Sequence, residues 1–483
     1  MSTATTGLRA GCEGIVALDG RLEPWQRRLC NKPEVLRGWL AEHGSPLNIL
    51  DPAPMARNAG ELRDAAGAAG VDLAIYFARK ANKALALVDE ARRLGLGVDL
   101  ASERELEQVL ERGVPGSALV MTAAIKPAPL LERCIASSTT VAVDNADEFE
   151  LLAGMTARAG CATSVALRLA PDLGDGRPQT RFGLGALEWL AIVDGDRSDG
   201  ARPRIDGVHF HLDGYAAADR VVALGQAIEL ADALRQRGHR PTFIDIGGGI
   251  PTSYLESASQ WEQFWSAHRE GLLGRREPLT FDGHGLGLLA HGGEIIGRPA
   301  VYPFHQRPTR GAWLSEVLAG RAGHGAGGGS IADALRECGL QLRCEPGRAL
   351  LDGCGLTVAR VAHRKQRRDG TWLISLEMNR TQCRSTSEDF LVDPLLIGWA
   401  DGDRTGPIEG YLVGAYCIER ELLSWRRMRF RNGVAVGDLV VFPNTAGYLM
   451  HILESSSHQI PLARNLVVKA DDQAVVDPID AGG

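Results

Sequence analysis

The sequence lacks the features that would place it in several other classes of protein. No apolar stretch reaches the roughly 18 residues needed to cross a bilayer, and the first residues lack the basic-then-apolar order of a secretion signal. The nine cysteines are scattered singly without a Cys-x-x-Cys pair, which is typical of cytosolic thiols and not of a disulfide framework or zinc site. Lysine plus arginine (53) do not exceed aspartate plus glutamate (60), and there is no basic run. We therefore expect a cytoplasmic protein that binds neither membranes nor nucleic acid.

Short apolar segments alternate with amphipathic segments from about residue 45 onwards. In the stretch 82–94, apolar residues recur at steps of three and four, which predicts a helix. Strands alternating with helices predict a parallel sheet, and about eight such units predict an α/β fold of the (β/α)8 TIM-barrel type. An open doubly wound sheet is the alternative. The predicted strands are 73–78, 97–100, 118–121, 140–143, 164–169, 207–212, 242–247 and 340–345.

The pattern changes twice after the seventh predicted strand. A Gly- and His-rich stretch around 270–335 predicts an insertion before the eighth strand, in the form of a surface loop, a lid or a partner surface. Beyond Arg348, alternating segments such as LTVARVAHR, TWLISLEM and GYLVGAYC predict antiparallel strands. We expect residues 45–348 to form the barrel, and residues 1–44 plus 349–483 to form a C-terminal antiparallel β-barrel or sandwich domain.

Residues with distinctive chemistry follow three of the predicted strands, at the barrel end where catalytic groups lie. Lys80 follows the first strand and is either a solvated rim residue or an amine that condenses with a carbonyl group. The glycines 247–249 follow the seventh strand and form either a plain turn or a backbone cradle for an anion. Glu345 and Arg348 close the eighth strand, as a surface turn or as partners of a ring nitrogen and a phosphate.

Two histidines, His209 and His211, alternate on the sixth predicted strand, so both side chains are expected on one face. They could ligate a metal ion, but no third ligand stands at suitable spacing. We favour a core histidine or a histidine that stacks on a ring, and predict no metal site.

Together these motifs resemble the fold-type III pyridoxal-phosphate decarboxylases, which include ornithine, arginine and diaminopimelate decarboxylases and share the alanine-racemase barrel. The resemblance extends from about residue 45 to 466, and the HLDGY sequence and the insertion suggest a divergent bacterial branch. The motifs that carry it are Lys80-x-Asn82, GVDLAS with Glu105, Arg181-Phe182-Gly183, HFH, IDIGGG, EPGR, GAYCIERE and GDLVVFPNTAGY.

The resemblance implies a role in holding the cofactor ring for five residues. Lys80 would hold pyridoxal 5'-phosphate as an imine, and Asp99 would lie near that imine. Glu345 would keep the pyridine nitrogen protonated, His211 would stack on the ring, and Arg168 would line the cofactor pocket.

The resemblance also implies phosphate ligands and a proton donor. Gly247, Gly248, Gly249, Arg348 and Tyr448 would bind the phosphate. Cys417 would reach in from the partner subunit and protonate the substrate carbon after carbon dioxide leaves; the alternative is a structural thiol. The implied protein is a homodimer with shared active sites.

Departures from the family pattern lie in three places. Asp213-Gly214 stands where the family has Gly-Ser, which removes a hydroxyl ligand of the phosphate. Arg181 and Glu421 replace a Lys–Asp pair and are expected to form an ion pair between subunits, although chance retention of the charges is the alternative.

The third departure concerns the substrate. Ile418 stands after Cys417 where relatives carry an acid, and Glu419, one position later on a predicted strand, would point to the opposite face. Glu377 could replace that acid, whereas Arg380 and Arg384 could grip a substrate carboxylate or lie on the surface. We predict Glu377, Arg384 and Glu419 as substrate-binding residues.

The sequence thus predicts a pyridoxal-phosphate-dependent amino-acid α-decarboxylase, a carboxy-lyase acting on a small-molecule amino acid. One alternative is an amino-acid racemase or epimerase, in which Lys80 and Cys417 serve opposite faces of the substrate. The other alternative is a regulatory homologue without a cofactor.

Overall fold

The eight apolar segments predicted as strands form a closed parallel barrel in this computed structural model. The structure describes residues 8–9, 11–174, 176–177, 179–195, 202–321, 329–386, 390–398, 403–469 and 471–481. Leu342 in the eighth strand lies opposite both Leu73 in the first and Ile244 in the seventh, which closes the cylinder. The predicted fold class is therefore confirmed. The barrel strands are Leu73–Ala78, Gly97–Leu100, Leu119–Met121, Thr140–Val143, Ser164–Arg168, Arg204–His209, Phe243–Asp245 and Gln341–Cys344.

Amphipathic helices cover the barrel because their apolar faces pack on its strands. Leu87, Val88 and Ala91 of the helix Leu85–Arg93 are fully buried, as the periodicity in 82–94 predicts. The Ser102 side chain caps the next helix by accepting a hydrogen bond from the Glu105 N–H. The α-helices in the described parts of the barrel region are Pro54–Ala68, Leu85–Arg93, Glu103–Glu111, Ala128–Ser137, Ala146–Ala159, Ala186–Gly195, Ala217–Gln236, Ala258–Leu272, Arg310–Ala319 and Ile331–Glu337.

A second, mostly antiparallel sheet forms the other domain, with the N-terminal helices Pro24–Cys30 and Pro33–His43 packed on it. The strand Leu47–Leu50 lies in this sheet, paired with Gly355–Gln366, while the following helix packs on the barrel. The predicted division at residue 45 stays a prediction. The strands of this sheet are Glu13–Gly14, Leu47–Leu50, Gly355–Gln366, Trp372–Leu376, Leu395–Ile397, Ile408–Val413, Met428–Phe430, Leu439–Pro443, Arg464–Val468 and Ala474–Val476.

The stretch between the seventh and eighth barrel strands is built of helices and a hairpin, Leu288–His291 with Glu294–Gly297. Its Phe304 ring lies 6.3 Å from Phe390, so the stretch shares an apolar core with the second sheet. Residues 322–328 lie outside the described residues. Short 3-10 helices complete the described structure: Arg79–Ala81, Gly116–Ala118, Phe281–Gly283, Arg380–Gln382, Ser457–Gln459 and Pro478–Asp480.

Among the helices described above, none is both long and apolar enough to span a membrane.

Candidate active site

Lys80 lies at the mouth of the barrel, where a short 3-10 helix follows the first strand. Its Nζ donates a hydrogen bond to Asp99 Oδ2 at 2.8 Å, and Asp99 Oδ1 accepts a second bond from Thr122. Burial lowers the pKa of Lys80, but the negative charges of Asp99 and Glu345 outweigh burial and raise it above its ordinary value. The structure thus places Asp99 beside Lys80, and the pair can hold or pass a proton.

Three ionisable side chains from the sixth, seventh and eighth strands meet inside the barrel below Lys80. His209 Nε2 lies 3.2 Å from Glu345 Oε1, and all three residues, with Asp245, are almost completely buried. His209 Nδ1, Asp245 Oδ2 and Glu345 Oε2 have no hydrogen-bond partner within the described residues. One oxygen or nitrogen atom of each of these residues lies within 4.8 Å of the others. His211 is not part of the group, so the group does not complete the His209–His211 pair considered from the sequence.

Burial sets the protonation of this group because it disfavours every charged form. It raises the pKa of Glu345 to about 8 and that of Asp245 to about 7, and it lowers the pKa of His209 to about 4. With His209 neutral and the two acids favouring their protonated forms, this buried group carries little charge. Glu345 Oε2 remains without a hydrogen-bond partner in the described structure.

A cavity of about 320 Å³ lies beside this group: Pro346 and Gly347, which follow Glu345 in the chain, line it, whereas Glu345, Asp245 and His209 do not. Lys80, His211, Gly249, Arg348 and Tyr448 line it, so the structure brings together residues from the first, sixth, seventh and eighth strand ends. The cavity is also lined by side chains that were not predicted from the sequence as site residues. These are Thr180, Phe182, Leu212, Asp213, Tyr215, Ile250 and Ala349.

The glycines after the seventh strand hold His211 by close contact. Gly247 and Gly249 have positive φ angles of 63° and 75°, a conformation that glycine adopts most readily. The Gly248 N–H donates to His211 Nδ1 at 3.2 Å, and a Cβ atom at Gly247 would lie 2.5 Å from the same nitrogen. His211 lies beyond the strand Arg204–His209, so the prediction that both histidines share one strand is wrong.

Arg348 and Tyr448 occupy another side of the cavity. The Arg348 guanidinium donates to Tyr254 Oη at 3.3 Å and to Ser385 Oγ at 3.0 Å, and lies 4.0 Å over the Tyr302 ring. A Cβ atom at Gly347 would lie 2.6 Å from Tyr448 Oη, so glycine in EPGR leaves room for this hydroxyl. Tyr254, Tyr302 and Ser385 carried no sequence signal, since they come from segments distant in the chain.

Arg168 lies behind the cavity wall. Its Nη1 is 3.3 Å from Asp144 Oδ1, and its guanidinium lies 4.1 Å from the Phe182 ring, which lines the cavity. Arg168 itself is buried and is not among the described lining residues. Its contact with the cavity therefore passes through Phe182.

The predicted substrate-binding residues lie outside the described lining of the cavity. Glu377 pairs with Arg360 at 3.4 Å on a half-exposed surface, and Arg384 is buried and donates to the Leu422 carbonyl. Glu419 is exposed. Their roles stay predictions.

The segment that contains Cys417 is not a strand. The strand Ile408–Val413 ends four residues earlier, and the segment from Gly414 to Glu421 folds back so that the Gly414 N–H donates to the Glu421 carbonyl. The argument that Glu419 points to the opposite face of a strand is therefore wrong. Cys417 is exposed and does not line the described cavity of its own chain.

The residues proposed for an ion pair between subunits have other contacts in this chain. Glu421 is buried, accepts a hydrogen bond from the Arg380 N–H at 2.7 Å and lies 3.5 Å from Arg380 Nε. Arg181 is exposed and lies 3.9 Å over the Phe182 ring. Glu421 thus faces its own chain, which weakens the case for a pair with Arg181 of a partner.

This chain is similar in sequence to several known proteins and similar in fold to solved structures. Residues 58–273 match the family described as "Pyridoxal-dependent decarboxylase, pyridoxal binding domain". An uncharacterized protein, y4yA of Sinorhizobium fredii (strain NBRC 101917 / NGR234), is 32% identical over 90% of both chains. Diaminopimelate decarboxylase of Zymomonas mobilis is 25% identical over 47% of this chain and 57% of its own length, so this match spans little more than half of that enzyme. The structure of Helicobacter pylori diaminopimelate decarboxylase complexed with L-lysine shares the fold, with a TM-score of 0.66, 17% identity, and coverage of 91% of this chain and 95% of that one.

Proposed function

Because the chain belongs to the fold-type III family of pyridoxal-phosphate-dependent decarboxylases, we propose that it is an amino-acid α-decarboxylase with Lys80 as its cofactor lysine. The carrying observation is that Lys80, whose Nζ pairs with Asp99 at 2.8 Å, lines one cavity together with His211, Gly249, Arg348 and Tyr448. The family depends on pyridoxal phosphate. That the substrate of this protein is an amino acid is part of the proposal.

The residues present fit this cofactor at both of its ends. The free Glu345 Oε2 is a buried acceptor without a partner in the described structure, which suits a ring N–H donor. The Gly247 and Gly248 N–H groups donate to Asp245 and His211. Gly249, which has no side chain to block an anion, lines the cavity, and Arg348 and Tyr448 add a cation and a hydroxyl. When bound, pyridoxal phosphate supplies an electron sink for the pair released at the substrate Cα.

The chain's own residues would position the cofactor and hold or transfer protons. Lys80 would hold the cofactor covalently, and Asp99 would keep or return the proton of Lys80 Nζ. His211 is held by the Gly248 N–H, and burial keeps its pKa well below the ordinary value, so a neutral ring would pack against the cofactor. Glu345 would accept a hydrogen bond from the ring N–H and so keep the ring nitrogen protonated.

We further propose that Cys417 delivers a proton to Cα from the partner subunit of a homodimer. Cys417 is exposed on its own chain, and Tyr416 beside it donates a hydrogen bond to the Ser455 carbonyl at 3.1 Å. Exposed apolar side chains of Ile418 and Ile452 stand on these two contacting segments. An apolar surface of this kind suits a contact with another chain.

The test begins with borohydride reduction of the purified protein and mapping of the pyridoxyl-labelled peptide. We expect the label on Lys80, and the matched lysine is Lys83, which pairs with Glu454 at 2.6 Å and is equally exposed. Lys83→Ala should keep the label, and Lys80→Ala should lose it. A label on Lys83 would overturn the assignment of Lys80, and a colourless protein that takes up no cofactor would favour a regulatory homologue.

The reaction is tested by incubation with a panel of L- and D-amino acids, with released carbon dioxide and the chirality of the remaining amino acid as readouts. Carbon dioxide from one amino acid is expected. Inversion of chirality without carbon dioxide would replace the decarboxylase proposal by a racemase.

A further inference from the structure

Arg220 is a buried cation whose charge is not neutralised by an acid in the described structure. It lies on the helix Ala217–Gln236, and its relative exposure is 0%. Its Nη2 donates to the Leu212 carbonyl at 3.2 Å, whereas Nη1 and Nε have no hydrogen-bond partner among the described residues. Burying a charge in this way is unfavourable unless another group compensates it.

The guanidinium lies directly behind the backbone that lines the cavity. A Cβ atom at Gly249 would lie 2.2 Å from Arg220 Nη2 and 3.0 Å from the Gly214 carbonyl oxygen. Gly249, Gly214 and Leu212 all line the cavity. Because position 249 is glycine, the Arg220 guanidinium can approach the backbone there closely. Only this backbone separates the charge of Arg220 from a molecule in the cavity.

The surrounding acids are poorly placed to neutralise this charge. Asp219 is paired with Arg177 at 2.8 Å, and Asp213 is exposed at the cavity. Burial lowers the pKa of Arg220 to about 10, which still leaves the guanidinium charged near neutral pH. Trp313 covers another side, with its ring 5.9 Å from the guanidinium carbon.

The second arginine at this cavity has a different status. Arg348 already donates hydrogen bonds to Tyr254, Ser385 and the Gly447 carbonyl. Arg220 thus stands out as the cation beside the glycine loop with unused donors.

We propose that Arg220 is a phosphate-positioning residue, which attracts the phosphate of the cofactor to the glycine loop from behind Gly249. This inference rests on the proposed function, because it assumes that the cavity takes pyridoxal phosphate. Asp213, which also lines the cavity, would repel a phosphate. In this proposal the positive charge of Arg220, on the neighbouring helix, supplies part of the attraction that offsets this repulsion.

The experiment compares two ligands that differ only in the phosphate. Apo protein is titrated with pyridoxal phosphate and with pyridoxal, and binding is followed by absorbance. Arg220→Met removes the charge, Arg220→Gln removes it but keeps a donor for the Leu212 carbonyl, and Arg220→Lys keeps it. Arg235→Met, on the same helix and paired with Asp232, removes an equal charge at a distance and is the matched control.

In both neutral variants the Kd for pyridoxal phosphate should rise about tenfold or more, as for removal of a nearby opposite charge in a poorly solvated interior. The Kd for pyridoxal should change less than about twofold, and Arg220→Lys and Arg235→Met should retain most of the preference for the phosphate. If Arg220→Met does not fold, Arg220→Gln alone tests the loss of charge. If the Kd rises equally for both ligands, Arg220 only supports the fold. If neither Kd changes, the charge of Arg220 does not act on the phosphate. Either result overturns the inference.

A separate outcome concerns the proposed function. If the wild-type protein binds neither pyridoxal compound, the cofactor assignment fails, and thermal unfolding with inorganic phosphate then decides on Arg220. Stabilisation by phosphate in the wild type and its loss in Arg220→Gln would support an anion site, and equal stabilisation of both proteins would overturn it.

Discussion

Replacing Glu345 by glutamine should make the cofactor-free protein more stable at alkaline pH. Burial raises the pKa of Glu345 to about 8 from the 4.5 of an ordinary glutamic acid. The folded protein therefore holds this proton more tightly than the unfolded chain does. The contribution to stability is fully present below about pH 4.5 and is lost as the pH rises to about 8. Over the whole range, at roughly 1.4 kcal/mol per pKa unit, the loss amounts to at most about 5 kcal/mol.

The measurement is best made between pH 6.5 and 8.5, where His209 stays neutral. In this interval the Glu345 proton should account for a loss of about 2 kcal/mol in the free energy of unfolding. Asp245, whose pKa burial raises to about 7, acts in the same direction. Glutamine keeps an oxygen that can accept from His209 Nε2, so Glu345→Gln removes the titration with little change in packing.

Urea unfolding of apo protein at the two pH values would show the effect. Wild type should lose stability from pH 6.5 to 8.5, and Glu345→Gln should lose about 2 kcal/mol less. Glu377→Gln is the matched control, because Glu377 is 38% exposed and pairs with Arg360 at the surface. Identical pH dependence of wild type and Glu345→Gln would refute the reasoning.

Three further predictions concern the proton donor, the dimer and a buried ion pair. Cys417→Ala should bind the cofactor normally but turn over about 10²–10⁴-fold more slowly; unchanged turnover would assign the proton to another group. Mixing Lys80→Ala with Cys417→Ala under subunit exchange should restore about a quarter of wild-type activity, since half of the dimers are mixed and each has one intact site; no recovery after proven exchange would confine the site to one chain. Arg310→Met, which breaks the buried 2.7 Å pair with Asp352, should lower the free energy of unfolding by about 3 kcal/mol; Arg360→Met, at an exposed pair, should change it by less than about 1 kcal/mol in the same urea titration.

The barrel was predictable because its strands are buried on both faces. All four residues of Thr140–Val143 are buried, and a strand of this kind appears in the sequence as a continuous apolar run. All four residues of the strand Leu47–Leu50 are buried as well, yet it pairs with Gly355–Gln366, some 300 residues later. No local pattern distinguishes these two environments, so the sheet to which a short apolar strand belongs depends on tertiary contacts.

The end of the strand before Cys417 was missed for a related reason. Apolar residues continue through Ala415 and Tyr416, so the alternating pattern persists after the pairing has stopped at Val413. The turn depends on Glu421, whose backbone carbonyl accepts from Gly414 and whose buried side chain pairs with Arg380. The pair with Arg380 links segments about 40 residues apart and leaves no mark on local periodicity.

Within the site, the residues at strand ends could be selected, because a barrel brings all carboxyl ends of its strands to one rim. Lys80, the glycine loop and Glu345 belong to this group. Asp245 could also have been found, since an acid inside the apolar run FIDI is rare unless it has a partner or a function. Arg220 had no such signal, because its closeness to Gly249 depends on how one helix packs behind the loop.

The distribution of charge in the cavity follows from these placements. Glu345 and Asp245 lie buried outside the described lining of the cavity, and their raised pKa values show that burial favours their protonated forms. Arg348 lines the cavity, and Arg220 lies behind Gly249. The free Glu345 Oε2 and the unpaired donors of Arg220 lower the stability of the apo protein, since each is buried without a partner in the described chain. A ring N–H at one end of a ligand would give Glu345 Oε2 a partner, and a phosphate at the other end would offset the charge of Arg220 across the backbone at Gly249. The affinity of such a ligand would therefore include the free energy that these groups cost the folded protein on their own.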